Sequence, residues 1–221
     1  MPEIIPAINA ESFEEVKKKI KLVEPYVKWV HLDVADGTFT PNSIWHDPRD
    51  LLALETPLFL EVHLMVVDMD IRWRDWVLSK VSRVIFHAEA AHDPELVIGK
   101  IHEAGKEVGV AINPATEWQR VEPYCASADL VQTLAVPPGI SGQKFDAGIL
   151  DKIRALRARH EECIIEADGG INLETGKQCV EAGANILASA SFIFSSKDIR
   201  KAILKLSALG RSTPRVSDSR S

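Results

Sequence analysis

Residues 29–37 read WVHLDVADG, a short apolar run that carries a histidine and an aspartate at alternate positions, His31 and Asp33. Side chains alternate faces along a β-strand, so these two point to one side while Leu32 and Val34 point to the other. The run therefore predicts a strand that carries two polar side chains on one face, near its carboxyl end. Because an unpaired imidazole or carboxylate is costly to bury, we expect these two groups to have a partner.

Comparable runs recur along the whole chain and alternate with amphipathic stretches of helical spacing. The predicted strands are Ile4–Ile8, Trp29–Val34, Leu58–Leu64, Arg83–His87, Glu107–Ile112, Leu130–Val136, Ile164–Ala167 and Ile186–Ala188. The predicted helices are Phe13–Val23, Pro94–Ala104, Gly148–Arg159, Leu173–Ala182 and Asp198–Ala208. Eight strands that alternate with helices are typical of a (β/α)8 barrel, a fold of about 250 residues. The alternative is an open doubly wound sheet, but no GxGxxG turn follows the first strand. We therefore predict an α/β protein with a single TIM barrel.

The 221 residues show no internal linker, so we expect one catalytic domain over residues 1–209. The segment Asp36–Pro57 has little periodicity and is interpreted as an extended loop over the mouth of the barrel. The segment Gly210–Ser221 has almost no apolar content, and we expect a disordered tail there.

Composition excludes several classes of protein. The net charge is −6, and no basic cluster is interleaved with aromatic residues, so nucleic acid is not an expected partner. No long apolar run and no signal-peptide pattern occur, so we expect no membrane association and a cytoplasmic location. The three cysteines lack metal-binding spacing and are interpreted as reduced core residues.

Two further runs end in polar groups, His63 in LEVHLMV and Asp168 in IIEADGGI. If the strands lie parallel, their carboxyl ends place His31, Asp33, His63 and Asp168 around one point. For each residue alone, a structural role at a strand end is an equally good explanation. For all four at matching positions, a shared divalent ion is favoured, because two imidazoles and two carboxylates suit zinc, iron(II), manganese or cobalt.

Small residues follow the sixth, seventh and eighth predicted strands. Loops after the last strands of such barrels often hold a phosphate group with backbone amides, and glycine lets the backbone approach an anion closely. Any one pair of glycines is adequately explained as a turn. Three such sites on one rim favour a phosphate site made of Gly139, Ile140, Ser141, Gly142, Gly169, Gly170, Ala190 and Ser191.

Six motifs in order resemble the ribulose-phosphate 3-epimerase family over about residues 3–208: HLDVADGTFTPN, EVHLMV, FHAEA, INPAT, PPGISGQKF and EADGGIN. The resemblance implies a TIM barrel of the ribulose-phosphate-binding type, a sugar phosphate substrate and a homo-oligomer. It also implies one divalent metal held by His31, Asp33, His63 and Asp168. The acid and base would be Asp33 and Asp168, which exchange the proton at C3 through an enediolate.

The resemblance also places His63, Asp168 and Met65 beside the substrate, although Met65 is explained equally well as core filling. His87 and Glu89 in FHAEA end the fourth predicted strand. They could contact the metal ligands and hold them in place without binding the metal, but a histidine at a strand end is more often structural.

This sequence departs from the family around the expected pocket at Ala7, Ala35, Leu134, Pro137, Ser141 and Ala190. Ala7 replaces a serine, and Asn9, two residues on, is a possible substitute donor. Ala35 replaces a methionine, which would leave room for a larger sugar. Three functions stay open: epimerisation of D-ribulose 5-phosphate to D-xylulose 5-phosphate, the same reaction on another ketose phosphate such as a six-carbon one, and sugar-phosphate binding without turnover. A Schiff-base aldolase is disfavoured, because the sixth predicted strand has no lysine.

Overall fold

The computed structural model describes residues 1–78, 80–139 and 142–210. Eight parallel strands close into a barrel in sequence order. The strands are β1 Glu3–Ile8, β2 Trp29–Ala35, β3 Phe59–Met65, β4 Val81–His87, β5 Glu107–Ile112, β6 Leu130–Leu134, β7 Ile165–Asp168 and β8 Ile186–Ser189. The predicted TIM barrel is confirmed. Ile140 and Ser141 of the predicted phosphate site, and all of the predicted tail except Gly210, lie outside the described residues.

Helices surround the barrel, but not after every strand. The α-helices are α1 Phe13–Val23, α2 Met69–Arg72, α3 Pro94–Glu103, α4 Gly148–Arg159, α5 Leu173–Ala182, α6 Ser191–Phe194 and α7 Ile199–Ser207. The connections after β2 and β5, which are described throughout, contain only short 3-10 helices, Pro48–Ala53 after β2 and Trp118–Arg120 and Glu122–Cys125 after β5. None of the helices in the described part of the chain is both long and apolar enough to cross a bilayer.

Local sequence signals fix the ends of these elements. The Ser12 hydroxyl accepts from the Glu15 backbone N–H and begins α1, while the Asp93 carboxylate caps α3 ahead of Pro94. Gly183 ends α5 with a φ of +118°, in the left-handed region that favours glycine.

Strand β6 is two residues shorter than predicted. The Ala135 backbone N–H still donates to the Asp168 carbonyl at 2.7 Å, but the Ala135 carbonyl accepts from the Asp146 N–H and the chain leaves the sheet. Pro137 and Pro138, which have no N–H to donate, follow immediately. The loop after β6 therefore begins at the rim, where it lines the cavity described below.

The described part of the chain has three apolar clusters and a layer of buried polar side chains. The main core lies between strands and helices, and a smaller one inside the barrel contains Ile5, Ile85 and Ile186. Fully buried polar side chains also lie in the barrel, among them His31, Glu61, Gln132 and Glu166. Such a layer is costly without internal pairing, so its hydrogen bonds and charges shape the site above it.

Candidate active site

The structure brings together the four ligands predicted from the strand ends. In the β2–β3 register Asp33 lies directly beside His63, and Asp168 ends β7 on the far side of the barrel mouth. The ligand atoms of His31, Asp33, His63 and Asp168 all lie within 4.8 Å of one another. The histidine side chains are at most 1% exposed, and the aspartates are about 15% exposed.

Asp33 lies between the two histidines. Its Oδ1 is 3.3 Å from His31 Nε2 and 3.1 Å from His63 Nδ1, while Asp168 Oδ2 is 3.9 Å from His63 Nδ1. Burial raises the pKa of Asp33, but the two adjacent histidines, His31 and His63, lower it overall to far below its usual value. Burial raises the pKa of Asp168, and this effect prevails over the attraction of the histidines. The pKa values of the two carboxyl groups of one site are therefore shifted in opposite directions, as in sites where one carboxyl group acts as the acid and another as the base.

A buried ion pair between Glu61 and Arg83 lies beneath the site. His31 Nδ1–H donates to Glu61 Oε1 at 2.7 Å, and Glu61 Oε2 accepts from Arg83 Nη1 at 2.7 Å. Arg83 also pairs with Glu107 at 2.5 Å. Burial lowers the pKa of His31, but the neighbouring carboxylates of Asp33 and Glu61 raise it well above its ordinary value. This arrangement holds the His31 ring so that Nε2 faces Asp33.

A second chain of contacts lies behind His63. Its Nε2 is 2.9 Å from His87 Nε2, and His87 Nδ1 is 3.5 Å from Glu89 Oε2. Burial lowers the pKa of His87 to about 4, so the ring is neutral at pH 7. Burial raises the pKa of Glu89, but hydrogen bonds, which include those from the Asn113 N–H and the Thr116 hydroxyl, lower it to about 2.

These residues fit a divalent metal ion. His31 Nε2 is buried and makes no hydrogen bond with the described residues, although a carboxylate oxygen lies 3.3 Å away. The nitrogen that faces Asp33 can therefore carry a proton, as the raised pKa of His31 implies, or, once that proton is displaced, present a lone pair to a metal ion. Two imidazole nitrogens and two carboxylate oxygens are a donor set that zinc and other first-row divalent ions accept.

The four ligands open into a cavity at the carboxyl ends of the strands, where TIM-barrel enzymes carry their active sites. Of these four, Asp33, His63 and Asp168 line it, together with Met65. All the predicted phosphate-site residues that the structure describes line it as well: Gly139, Gly142, Gly169, Gly170, Ala190 and Ser191. No described residue of its lining is lysine or arginine, so backbone N–H groups, the Ser191 hydroxyl and the Asn9 amide are the donors available to an anion there.

The departures from the family have different places around this cavity. Ala7, Leu134, Pro137 and Ala190 line it. Ala35 does not line the cavity: it is fully buried and packs in a cluster with Phe39, Ile44 and Met65. The expectation that Ala35 leaves room for a larger sugar is therefore wrong, because side chains of the following loop fill that space.

Sequence reasoning noticed Asn9 only as a possible substitute donor. It lines the cavity, and its Nδ2 lies 3.4 Å from Asp33 Oδ2 and 3.5 Å from the Gly139 carbonyl. The sequence did indicate this position: Asn9 follows Ala7 by two residues, and side chains two residues apart along an extended chain point to the same side. The roles of Glu61 and Arg83 were missed, although Glu61 shares a strand face with His63.

Comparison with known proteins identifies similar sequences over almost the whole chain. The profile of the ribulose-phosphate 3 epimerase family matches residues 3–194. The ribulose-phosphate 3-epimerase of Bacillus subtilis (strain 168) is 35% identical over 214 residues, which cover 93% of this chain and 98% of that protein. The enzyme of the same name from Methanocaldococcus jannaschii is 35% identical over 212 residues, which cover 93% and 90%.

Solved structures with low sequence identity share the fold. The 3-hexulose-6-phosphate synthase from Salmonella typhimurium superimposes with a TM-score of 0.70 at 17% identity and covers 94% of this chain and 97% of that one. The orotidine 5'-phosphate decarboxylase from Pyrococcus horikoshii gives 0.66 at 16% identity and covers 95% and 100%. At these identities the likeness shows the barrel fold alone.

Proposed function

This chain belongs to the ribulose-phosphate 3-epimerase family, whose members are isomerases, and from that premise we propose that it interconverts D-ribulose 5-phosphate and D-xylulose 5-phosphate. The observation that carries the proposal is the pair of carboxyl groups in one cavity, Asp33 from β2 and Asp168 from β7, whose pKa values are shifted in opposite directions. The reaction needs one carboxylate that accepts a proton and one carboxylic acid that donates one.

Asp33 and Asp168 supply the two proton transfers. The C3 proton is acidic because C3 adjoins the C2 ketone. One carboxylate takes this proton from one face of C3, and the electron pair of the broken C–H bond moves to the ketone oxygen to form an enediolate. The other carboxyl group then returns a proton to the opposite face, so the configuration at C3 is inverted without net oxidation. In the reverse direction the two residues exchange roles.

The metal site would be made of His31 Nε2, Asp33, His63 Nδ1 and Asp168, whose ligand atoms cluster at the cavity floor. A divalent ion bound there would act as a Lewis acid that stabilises the negative charge of the enediolate. Zinc, iron(II), manganese and cobalt all suit this donor set. Glu61 also forms a buried cluster of possible ligands with His31 and Glu166, but its ion pair with Arg83 favours a supporting role, and His87 would support His63.

The phosphate group would bind at the rim formed by the loops after β6, β7 and β8. Gly169 and Gly170 have φ values of +97° and +65°, which turn the backbone sharply at the end of β7. Because its side chains are uncharged, this rim would bind the phosphate mainly through backbone N–H groups. The carboxylates of Asp33 and Asp168 would then lie beside the reacting carbon atoms. Met65 and Leu134 would form the apolar wall beside those atoms.

A five-carbon ketose phosphate is the substrate that this cavity favours, because the space next to Ala35 is filled by Ile44 and Phe39. A six-carbon ketose phosphate and binding without turnover are the alternatives to exclude. The sequence-based expectations of a homo-oligomer and a cytoplasmic location stay predictions.

The test is proton exchange in deuterated water. The purified protein, loaded in turn with each candidate metal, is incubated with D-ribulose 5-phosphate, D-xylulose 5-phosphate and D-fructose 6-phosphate, and the products are followed by NMR. We expect one deuterium at C3 of both pentulose phosphates, and interconversion of the two sugars that is about 10²–10⁴-fold slower in the Asp168→Asn variant. The variant Asp151→Asn is the matched control, because Asp151 is exposed on α4. Exchange confined to the hexulose phosphate would overturn the assigned substrate, and no exchange in any sugar would overturn the enzymatic function.

A further inference from the structure

The contact between His63 and His87 requires one shared proton. The two Nε2 atoms lie 2.9 Å apart, with ring centroids 5.0 Å apart and ring planes inclined by 28°. Two N–H groups at this distance would repel each other, and so would two lone pairs. One ring therefore donates its Nε2–H and the other accepts, and the direction of this hydrogen bond decides which nitrogen of His63 carries a proton.

Glu89 decides the direction. Its Oε1 accepts from the Asn113 backbone N–H at 2.9 Å and from the Thr116 hydroxyl at 2.5 Å, which holds the carboxylate in place. Its other oxygen, Oε2, lies 3.5 Å from His87 Nδ1, an ion-pair contact rather than a hydrogen bond, and Nδ1 has no hydrogen-bond partner among the described residues. A carboxylate can only accept, so the His87 proton lies on Nδ1 and leaves Nε2 as a bare acceptor. His63 must then donate its Nε2–H.

The consequence reaches the metal site. With its proton on Nε2, a neutral His63 directs the lone pair of Nδ1 at Asp33 Oδ1, 3.1 Å away, and at Asp168 Oδ2, 3.9 Å away. This is the tautomer that can bind a metal. The opposite tautomer would donate Nδ1–H to Asp33 and could not bind one. In a protein without metal, attraction to Asp33 favours that opposite tautomer, so an opposing influence is needed.

The contacts from His63 to His87 and from His87 to Glu89 are largely buried. His87 is fully buried at the end of β4. The Phe39 ring, from the loop after β2, packs against it, with the two ring centroids 4.5 Å apart. Glu89 is 23% exposed and lies at the solvent side of the chain.

We propose that the Glu89–His87 pair is a positioning unit that holds His63 in the Nε2–H tautomer and thereby keeps Nδ1 available to a divalent metal ion. The proposal rests on the proposed function, in which His63 is a ligand. It assigns Glu89 and His87 a purpose in metal binding, although neither reaches the cluster of ligand atoms.

The decisive variant is Glu89→Gln, which has nearly the same shape. Its carbonyl oxygen must stay with the Asn113 N–H, so its NH2 group faces His87 Nδ1 and donates to it. His87 then carries its proton on Nε2, and the hydrogen bond to His63 reverses. Two quantities are measured: the affinity for zinc by chelator competition, and the protonation of the His63 nitrogens by 15N NMR of the metal-free protein.

We expect a 10- to 100-fold loss of zinc affinity, which is the usual effect of removing a partner behind a metal ligand, and a shift of His63 to the Nδ1–H tautomer. The matched control is Asp129→Asn, because Asp129 accepts from a histidine on the surface, His102, at 2.8 Å. Its zinc affinity should equal that of the wild type. A Glu89→Gln variant with unchanged affinity and unchanged His63 tautomer would overturn the proposal.

A wild-type protein that binds no zinc would instead overturn the metal site, and the tautomer measurement would still decide the role of Glu89. If Glu89→Gln does not fold, His87→Gln and His87→Leu replace it. The glutamine carbonyl can accept the His63 Nε2–H, so most of the affinity should remain, whereas leucine should cause the 10- to 100-fold loss. Equal affinities in these two variants would refute the proposed unit.

Discussion

Glu61→Gln tests the buried support of the site most severely. Glu61 is fully buried and accepts from both His31 and Arg83 at 2.7 Å. Removing one partner of a buried ion pair costs about 3–5 kcal/mol, because the remaining charge is left without compensation. In the variant Arg83 still pairs with Glu107, whose side chain is 47% exposed, so its charge is not left without a partner. We therefore expect the loss in the free energy of unfolding to lie at the lower end of that range, about 3 kcal/mol.

Urea unfolding at pH 7 in the presence of a chelator measures this loss. For a chain of this size, about 3 kcal/mol also corresponds to a melting temperature lower by roughly 6–12 °C. Glu103→Gln is the control, because its exposed pair with Lys100 is worth less than about 1 kcal/mol. Glu166, whose pKa is raised by burial and by the charge of Glu61, could ionise in the variant and compensate Arg83. The double variant Glu61→Gln/Glu166→Gln removes that route, and a loss below about 1 kcal/mol in it would show that the pair of Glu61 with Arg83 contributes little to stability.

Three further predictions concern the reaction, the rim and the core. Asp168→Asn should lower kcat by about 10²–10⁴-fold, the usual contribution of an acid or base, while calorimetry shows substrate affinity close to wild type; an equal fall in Asp151→Asn would show that the effect is not specific. Gly170→Ala places a Cβ 3.1 Å from Phe145 at a φ of +65°, so we expect about 1–2 kcal/mol of destabilisation in urea and a higher KM for the phosphorylated substrate; an unchanged KM would remove this loop from the phosphate site. Burial raises the pKa of Cys179 to about 12, so at pH 8 the thiol stays protonated and should react with a thiol reagent only after unfolding; rapid reaction in the native protein would contradict its burial.

The barrel could be predicted from sequence because its strands are buried on both faces. Such strands appear as short apolar runs rich in valine and isoleucine, and the predicted ends differ from those observed by at most two residues. The convergence of the predicted ligands followed from alternation, since His31 and Asp33 share a face and parallel strands end at the same rim.

Contacts between strands could not be predicted in the same way. The pairing of His63 with His87 depends on the register of β3 against β4, which shifts between Leu60 and Glu61. A single sequence contains no signal for such a shift, and a change of one residue would turn His87 to the other face. The filling of the space beside Ala35 depends on the path of the loop after β2, which has no periodicity to read.

The most direct measurement of the central claim is an anomalous-difference map from crystals grown with zinc and recorded at the zinc edge. We predict one peak, within about 2.0–2.2 Å of His31 Nε2, His63 Nδ1 and one oxygen each of Asp33 and Asp168. A zinc peak bound elsewhere on the chain, with these four side chains in contact only with water, would contradict the account.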